Sequence, residues 1–516
     1  MNDTSAPQRA NTLLLFATFI IAVCGLIYEL LAGAISSYLL GDSVFQFSLV
    51  IGLFMAAMGI GSFLSRFVTE RIIETFIFVQ CVIAIVGGFS AYLLFFAFSH
   101  LESYQAFLFL LCVLIGSLVG LEIPLVVRLL KEYRVLRLNV SNVLTADYIG
   151  ALAASLLFPL VLVPQLGLFR SALLFGLLNC FVAALGIYVF YRNLQRARTL
   201  IVTTVLCALL LLAGFGAVNK ISSFFQNRLY VGEIIFSKTT PYQKIVLTRD
   251  GPVLSLFLNG QLQFNSMDEY RYHESLVHPA MSLARRHDHI LVLGGGDGLA
   301  IREILKYPDV KKITLVDLDK AMTNLFRDNP MLSKLNQQSL QHPAVQVVNS
   351  DAWKFLEQSQ DFYDVVIIDL PDPSNLSISK LYTLSFYSLL ARHLSADGIM
   401  VTQATSPIYA HQAFWCIYHT ISATPSKQQL NDQLHALPYH AYIPTFGDWG
   451  FVLAAKHNIK WNQIKLSVTT RYLDQTTLAT MPQFPPDMAE SDTAINELTT
   501  HKLVPYYQEG WQKWFH

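Results

Sequence analysis

Charge is what this sequence has least of. Only 14% of its 516 residues are Asp, Glu, Lys or Arg, while 53% are hydrophobic; an average soluble domain carries about 25% charged residues. The 36 basic residues balance the 36 acidic ones, and there is no basic tail or long single-sign run. Nothing therefore supports a nucleic-acid partner. Six cysteines, at 24, 81, 112, 180, 207 and 416, show no metal-ligand spacing, and Cys416 stands alone in the second half, which excludes a disulfide framework there. A phosphate loop ending in Gly-Lys-Ser/Thr is also missing, which argues against nucleoside triphosphate chemistry. The first apolar run is too long for a secretory h-region and lacks a convincing cleavage site, so it reads as an anchor.

What is present is unevenly spread. From Asn11 to about Val218 the chain is a series of apolar blocks, and beyond Lys220 it reads as a soluble enzyme. A bilayer-spanning helix needs about 20 apolar residues. Seven runs qualify, near 13–38, 45–64, 75–98, 105–127, 143–163, 168–190 and 200–218. Gly52, Gly59, Gly61, Gly116 and Gly120 fall at helix-contact spacing. Arg9, Arg66, Arg71, Arg128, Lys131, Arg134, Arg137, Arg192, Arg196 and Arg198 gather at one side, and the connections on the other side carry no Lys or Arg. That places the amino terminus in the cytoplasm and, with seven spans, everything after Lys220 outside. Glu29, Glu122 and Asp147 lie within spans, where a carboxylate is costly. Each reads either as a helix–helix hydrogen bond or as part of a site for a cation such as a polyamine.

In the second half, residues 229–264 alternate in strand fashion, with turn signals at Arg249-Asp250-Gly251 and Asn259-Gly260. Short strands then alternate with helices. His289–Leu293 runs into Gly294-Gly295-Gly296-Asp297-Gly298, Lys312–Val316 ends at Asp317, Val345–Asn349 leads to Asp351, Asp364–Ile368 ends at Asp369, and a fifth strand runs Gly398–Gln403. This pattern predicts a mostly parallel sheet whose carboxyl edge is the ligand crevice. Gly294, Gly296 and Gly298 would let backbone approach a ligand, and Asp317, 21 residues past Gly296, sits at the offset of a ribose-binding acid. Asp297 inside the loop would repel a pyrophosphate. A sulfonium nucleoside carrying an amine suits it better than NAD.

Ordered motifs from Tyr242 to about Ala455 resemble the spermidine/spermine synthase family of aminopropyltransferases. They are Pro241-Tyr242-Gln243, Leu258-Asn259-Gly260-Gln261-Leu262-Gln263, Asp268-Glu269-Tyr270-Arg271-Tyr272-His273-Glu274, Gly294–Gly298, Val316-Asp317-Leu318-Asp319, Asp351-Ala352, and Asp369-Leu370-Pro371-Asp372-Pro373 with Leu381-Tyr382. With the apolar half in front, the chain is similar to the membrane-attached bacterial branch. The resemblance implies a seven-span α-helical transmembrane bundle (1–220), a small β-subdomain (221–283) and a Rossmann-like, methyltransferase-type α/β domain (284–516). It implies a bacterial inner-membrane, multi-pass protein of two or more copies. The co-substrate would be decarboxylated S-adenosylmethionine, with no tightly bound cofactor and no metal, and a polyamine such as putrescine would be the acceptor.

Carried over by position, the resemblance makes Asp369 the catalytic base. Gln243 and Gln263 contact the donor, Asp297 holds its amine, Asp317 its ribose and Asp351-Ala352 its adenine. Asp372 stands beside Asp369, Tyr272 and His273 line the acceptor end, and Asp319 reads as a helix cap. Two departures stand out. The family often has Gln at the position of His273, and Ile443-Pro444-Thr445 continues into Phe446 where many members have tyrosine. A methyltransferase and a polyamine transporter or sensor are the rival readings. The charge rule places the enzyme outside, although its expected donor is made in the cytoplasm.

Overall fold

The apolar runs form helices, the structure in which every backbone polar group is satisfied within its own segment. They are Ser5–Leu40, Ser43–Leu64, Ile72–Gly88, Ser90–His100, Tyr104–Leu130, Leu136–Leu157, Gly167–Phe190 and Ala197–Leu229. The computed structural model describes residues 5–40, 43–101, 103–130, 136–426 and 432–514, so Lys131 and Arg134 of the basic connections lie outside the described residues. The chain divides into two compact units, Met1–Val231 and Gly232–His516. The expected boundary at residue 220 falls inside the last helix of the first unit.

Among the described residues, five segments are long and apolar enough to cross a membrane, and the pair Ile72–Gly88 and Ser90–His100, bent by 45°, makes six. One segment, Val140–Asn193, is 54 residues long and contains two of the predicted runs. It is interrupted at Gly167, whose φ of 72° and ψ of 177° leave the helical region after a π-helical stretch, Phe158–Leu166. A Cβ on Gly61 would collide with the Ser117 carbonyl and one on Gly120 with that of Met58, so these glycines do allow close helix packing. Gly52 and Gly59 meet nothing within 4 Å, contrary to their predicted contact role. Glu122, 1% exposed, accepts a 2.5 Å hydrogen bond from Gln80 Nε2 on another helix, the paired arrangement that the sequence offered as one of two readings.

The second unit opens with an antiparallel sheet of β1 (Glu233–Thr239), β2 (Lys244–Asp250), β3 (Val253–Leu258) and β4 (Gln261–Asn265), in that order. Asn259 and Gly260, with φ of 52° and 86°, make the tight turn into β4. The helix Glu269–Leu283 then leads to a seven-stranded sheet. Its strands are β5 (His289–Gly294), β6 (Lys312–Asp317), β7 (Val345–Asn349), β8 (Tyr363–Asp369), β9 (Leu394–Gln403), β10 (His435–Ile443) and β11 (Gly447–Ala455), in the order β10-β11-β9-β8-β5-β6-β7. Strands β5 to β9 are parallel. Strands β10 and β11, which the apolar pattern did not predict, form an antiparallel hairpin added beside β9.

Alternate residues of each central strand enter opposite cores. Ile290, Val292, Ile313, Leu315, Val365 and Ile367 pack on one face, and Leu291, Leu293, Val366, Ile368 and Met400 on the other. Burial on both faces explains why these strands read as continuous apolar runs. The strand order reverses at β5, which lies between β6 and β8, and such a switch point opens a crevice at the carboxyl edge.

Candidate active site

At that edge Gly294 ends β5 in register with Asp369 at the end of β8. Gly294 has φ 79°, and a Cβ there would collide with the Asp369 carbonyl; the Gly295 N–H donates to the same oxygen at 3.0 Å. Gly296 donates its N–H to Asp317 Oδ2 at 3.1 Å, and a Cβ on it would lie 2.6 Å from that oxygen. Gly298, at φ 76°, turns the chain into the helix Leu299–Ile304. Gly294 is thus required by the Asp369 backbone, Gly296 by the Asp317 carboxylate, and Gly298 by Ser339 and Leu340.

Asp297 is 8% exposed and accepts from the Leu299 N–H at 2.9 Å. Tyr272 donates its hydroxyl to Asp369 Oδ1 at 2.7 Å. His273, one residue on, places a ring nitrogen within 4.8 Å of oxygens of both Asp297 and Asp369. Its Nδ1 is held by the carbonyl and carboxylate of Glu269 at 2.7 and 2.9 Å, and Arg302 grips that carboxylate with two bonds of 2.8 and 2.9 Å.

Burial dominates the electrostatics. It raises Asp297 to about 6, an effect that His273 opposes and Asp369 reinforces. Burial also raises Asp369, against the His273 charge and the Tyr272 hydrogen bond. For His273 burial acts downward, but the bond and charge of Glu269, with Asp297 and Asp369 behind it, hold the imidazole at about 9. His273 thus stands between Glu269 and the two aspartates, where a protonated ring would serve as donor and counter-charge. The arrangement offers carboxylates that a cation would draw back into ionised form, and one of them can accept a proton.

The remaining predicted residues arrange around this centre. Asp317 also accepts from the Asp319 N–H at 2.9 Å and is raised by burial to about 6. Asp319 caps the helix Lys320–Asp328 as read from sequence, and its other oxygen binds the Gln243 amide at 3.2 Å. Asp351 caps the helix that begins at the buried Ala352 and pairs with Lys380 at 2.8 Å. Asp372 takes bonds from Gln403 Nε2 at 3.2 Å and Thr405 Oγ1 at 3.3 Å, with Tyr507 beside it, and burial raises it to about 6. Gln263 joins none of these contacts, since its amide binds the Gln261 carbonyl of its own strand at 3.3 Å.

Several participants were missed from sequence. Gln403, 2% exposed at the end of β9, carries the same strand-end signal as the aspartates and was there to be found. Thr405 gives a sign only in the structure, where this β-branched residue holds φ at 58°, an uncommon conformation typical of functional loops. Arg302 and Tyr507 reach the site from 33 and 135 residues away from their partners Glu269 and Asp372, and no local pattern marks them.

The spermine/spermidine synthase domain family matches residues 269–465. A polyamine aminopropyltransferase of Leptospira interrogans is 45% identical, covering 98% of this chain and 99% of its own. Polyamine aminopropyltransferase 2 of Ralstonia nicotianae is 46% identical over the same shares, 98% and 99%. Among solved structures, a spermidine synthase in complex with the transition-state analogue AdoDATO aligns at 24% identity and a TM-score of 0.45, covering 49% of this chain and 86% of that one.

Proposed function

The chain belongs to the spermine/spermidine synthase family and is a polyamine aminopropyltransferase, and on that premise we propose that the aminopropyl group is transferred at the edge around Asp369. Decarboxylated S-adenosylmethionine is the donor and a diamine such as putrescine the acceptor. The amine nitrogen attacks the propyl carbon next to the sulfonium. A C–N bond forms as the C–S bond breaks, and the electron pair leaves on sulfur as neutral methylthioadenosine. The nitrogen's surplus proton passes to a carboxylate.

Asp369 takes that proton. A free amine has a pKa near 10, so the base must also recruit the ammonium form, and a carboxylate at the attack point does both. Tyr272 fixes the Asp369 carboxylate and, with His273 and Asp372, forms the acceptor end. On the donor side Asp297 holds the amine, Asp317 the ribose, Asp351 and Ala352 the adenine, and Gln243 and Gln263 close over it. Gly294, Gly296 and Gly298 let the backbone approach the nucleoside. The observation that carries this assignment is the Tyr272–Asp369 bond of 2.7 Å within 4.8 Å of Asp297 and His273. A sulfonium and two ammonium groups need that much negative charge, and no oxyanion develops that would need the reverse.

The first unit is read as a bacterial cell-membrane domain with seven crossings. Its long apolar segments and bent pair support this, as does the break at Gly167 that divides the 54-residue segment. One experiment tests location and chemistry separately. Membranes from cells producing the chain are washed in alkaline carbonate, and both fractions receive decarboxylated S-adenosylmethionine and putrescine. Methylthioadenosine release in the pellet is expected. Release confined to the supernatant sinks the membrane reading, and release in neither fraction sinks the catalytic one.

A further inference from the structure

The loops that leave β8 and β9 at the carboxyl edge are both held by the last helix, Leu503–Gln512. Tyr507 is buried in one core cluster with Leu370, Tyr382, Ala404 and Ala410. Gln508 Nε2 donates to the Ser374 carbonyl at 3.4 Å, two residues past Asp372. Gly510 lies so close to the β9 loop that a Cβ would stand 2.7 Å from Ala410 Cα, and the Trp511 ring packs 5.2 Å from that of Tyr409. Tyr409 in turn lies against Gly447 at the β10–β11 turn. The helix is therefore registered against both loops and the turn opposite them.

From this position Tyr507 interacts with the Asp372 carboxylate, which accepts from Gln403 and Thr405. Gln403 is itself fixed by the Leu370 carbonyl at 2.8 Å and the Tyr382 hydroxyl at 2.7 Å. Two donors from the end of β9 narrow the orientation of this carboxylate, and a third from Tyr507 would fix it. They also leave it dependent on each donor, because a partly desolvated charge that loses a partner is destabilised. We propose that Tyr507 is a positioning residue for the acceptor amine, orienting Asp372 so that the carboxyl-terminal helix forms part of the acceptor site. The inference rests on the assignment of Asp372 to the acceptor end made above.

The test compares full-length wild type with Tyr507→Phe, Asp372→Asn and the double variant, varying putrescine and donor in turn. Phenylalanine preserves the packed ring. In Tyr507→Phe the KM for putrescine should rise about tenfold, about 1.4 kcal/mol, near the low end for a hydrogen bond to a charged group. The donor KM should stay within about twofold. The acid limb of kcat/KM for putrescine should move to higher pH, because a carboxylate that loses a donor holds its proton more tightly. The double variant should be no worse than Asp372→Asn alone. A raised putrescine KM in Asp372→Asn with none in Tyr507→Phe overturns the inference and leaves the acceptor assignment standing. No change in either variant overturns both. An equal rise in both KMs, with a lower melting temperature, reduces Tyr507 to packing and also overturns it.

Discussion

Asp297, Asp317 and Asp372 lie at or just beyond strand ends, and burial raises each to about 6, with Asp369 also raised. Asp351 differs. Burial acts upward there too, but Lys380 and the helix amides hold the group below its usual range. The distinction follows task. Asp351 caps a helix and keeps its charge without ligand, whereas on the proposed assignment a cationic ligand would restore charge to the central carboxylates. Asp297 has the sharpest assignment, because intact S-adenosylmethionine would set its carboxylate beside this carboxylate in a partly dry site. Asp297→Asn should therefore narrow the preference for decarboxylated over intact donor by at least about tenfold, a modest like-charge penalty. Competition binding of the two donors checks this, and an unchanged ratio would remove Asp297 from donor choice.

The helix Glu269–Leu283 does more than deliver Tyr272 and His273. Glu269 lies between His273 and Arg302, and Arg302 also donates to Glu303 at 2.9 Å, which in turn accepts from His278 at 3.1 Å. For Glu269 burial acts upward but is outweighed by His273 and Arg302, so the carboxylate stays ionised. Removing Arg302 takes away the guanidinium that Glu269 and Glu303 share, and breaking a buried ion pair typically costs about 3–5 kcal/mol. Arg302→Ala should lower the melting temperature of the purified protein by about 10 °C, with Arg302→Lys losing less because it keeps the charge but not the fork. Melting temperatures matching wild type would show the network to be dispensable. Little of this network was legible beforehand. The glycine loop and strand-end aspartates stood out because an apolar run stopping at a Gly or Asp is a local pattern. Arg302 pairs with Glu269 across 33 residues and His278 with Glu303 across 25, distances at which only the fold sets the partner. The β10–β11 hairpin escaped for a different reason. Pro438 interrupts β10, which an outer strand with one unpaired edge tolerates but an inner one does not.

For the whole chain, composition separated the two units, although the first persists as helix to Leu229, past the point where its apolar character fades. The bent pair at residues 72–100 governs the parity of the crossing count. Taken as one crossing, it keeps the basic connections on one side. Taken as a re-entrant hairpin, it gives six crossings but moves Arg128 to the opposite side from Arg66. On the proposed reading of seven crossings, Arg66 and Arg128 therefore share one side. The central claim is that Asp369 carries the chemistry rather than the binding. Its most direct test is the full-length Asp369→Asn protein in detergent, followed for donor binding by calorimetry and for methylthioadenosine release with putrescine. Donor affinity within a few-fold of wild type, with release slowed about 10²- to 10⁴-fold, is the predicted result. Release near the wild-type rate would contradict the account, because the proton would then leave by a group other than Asp369.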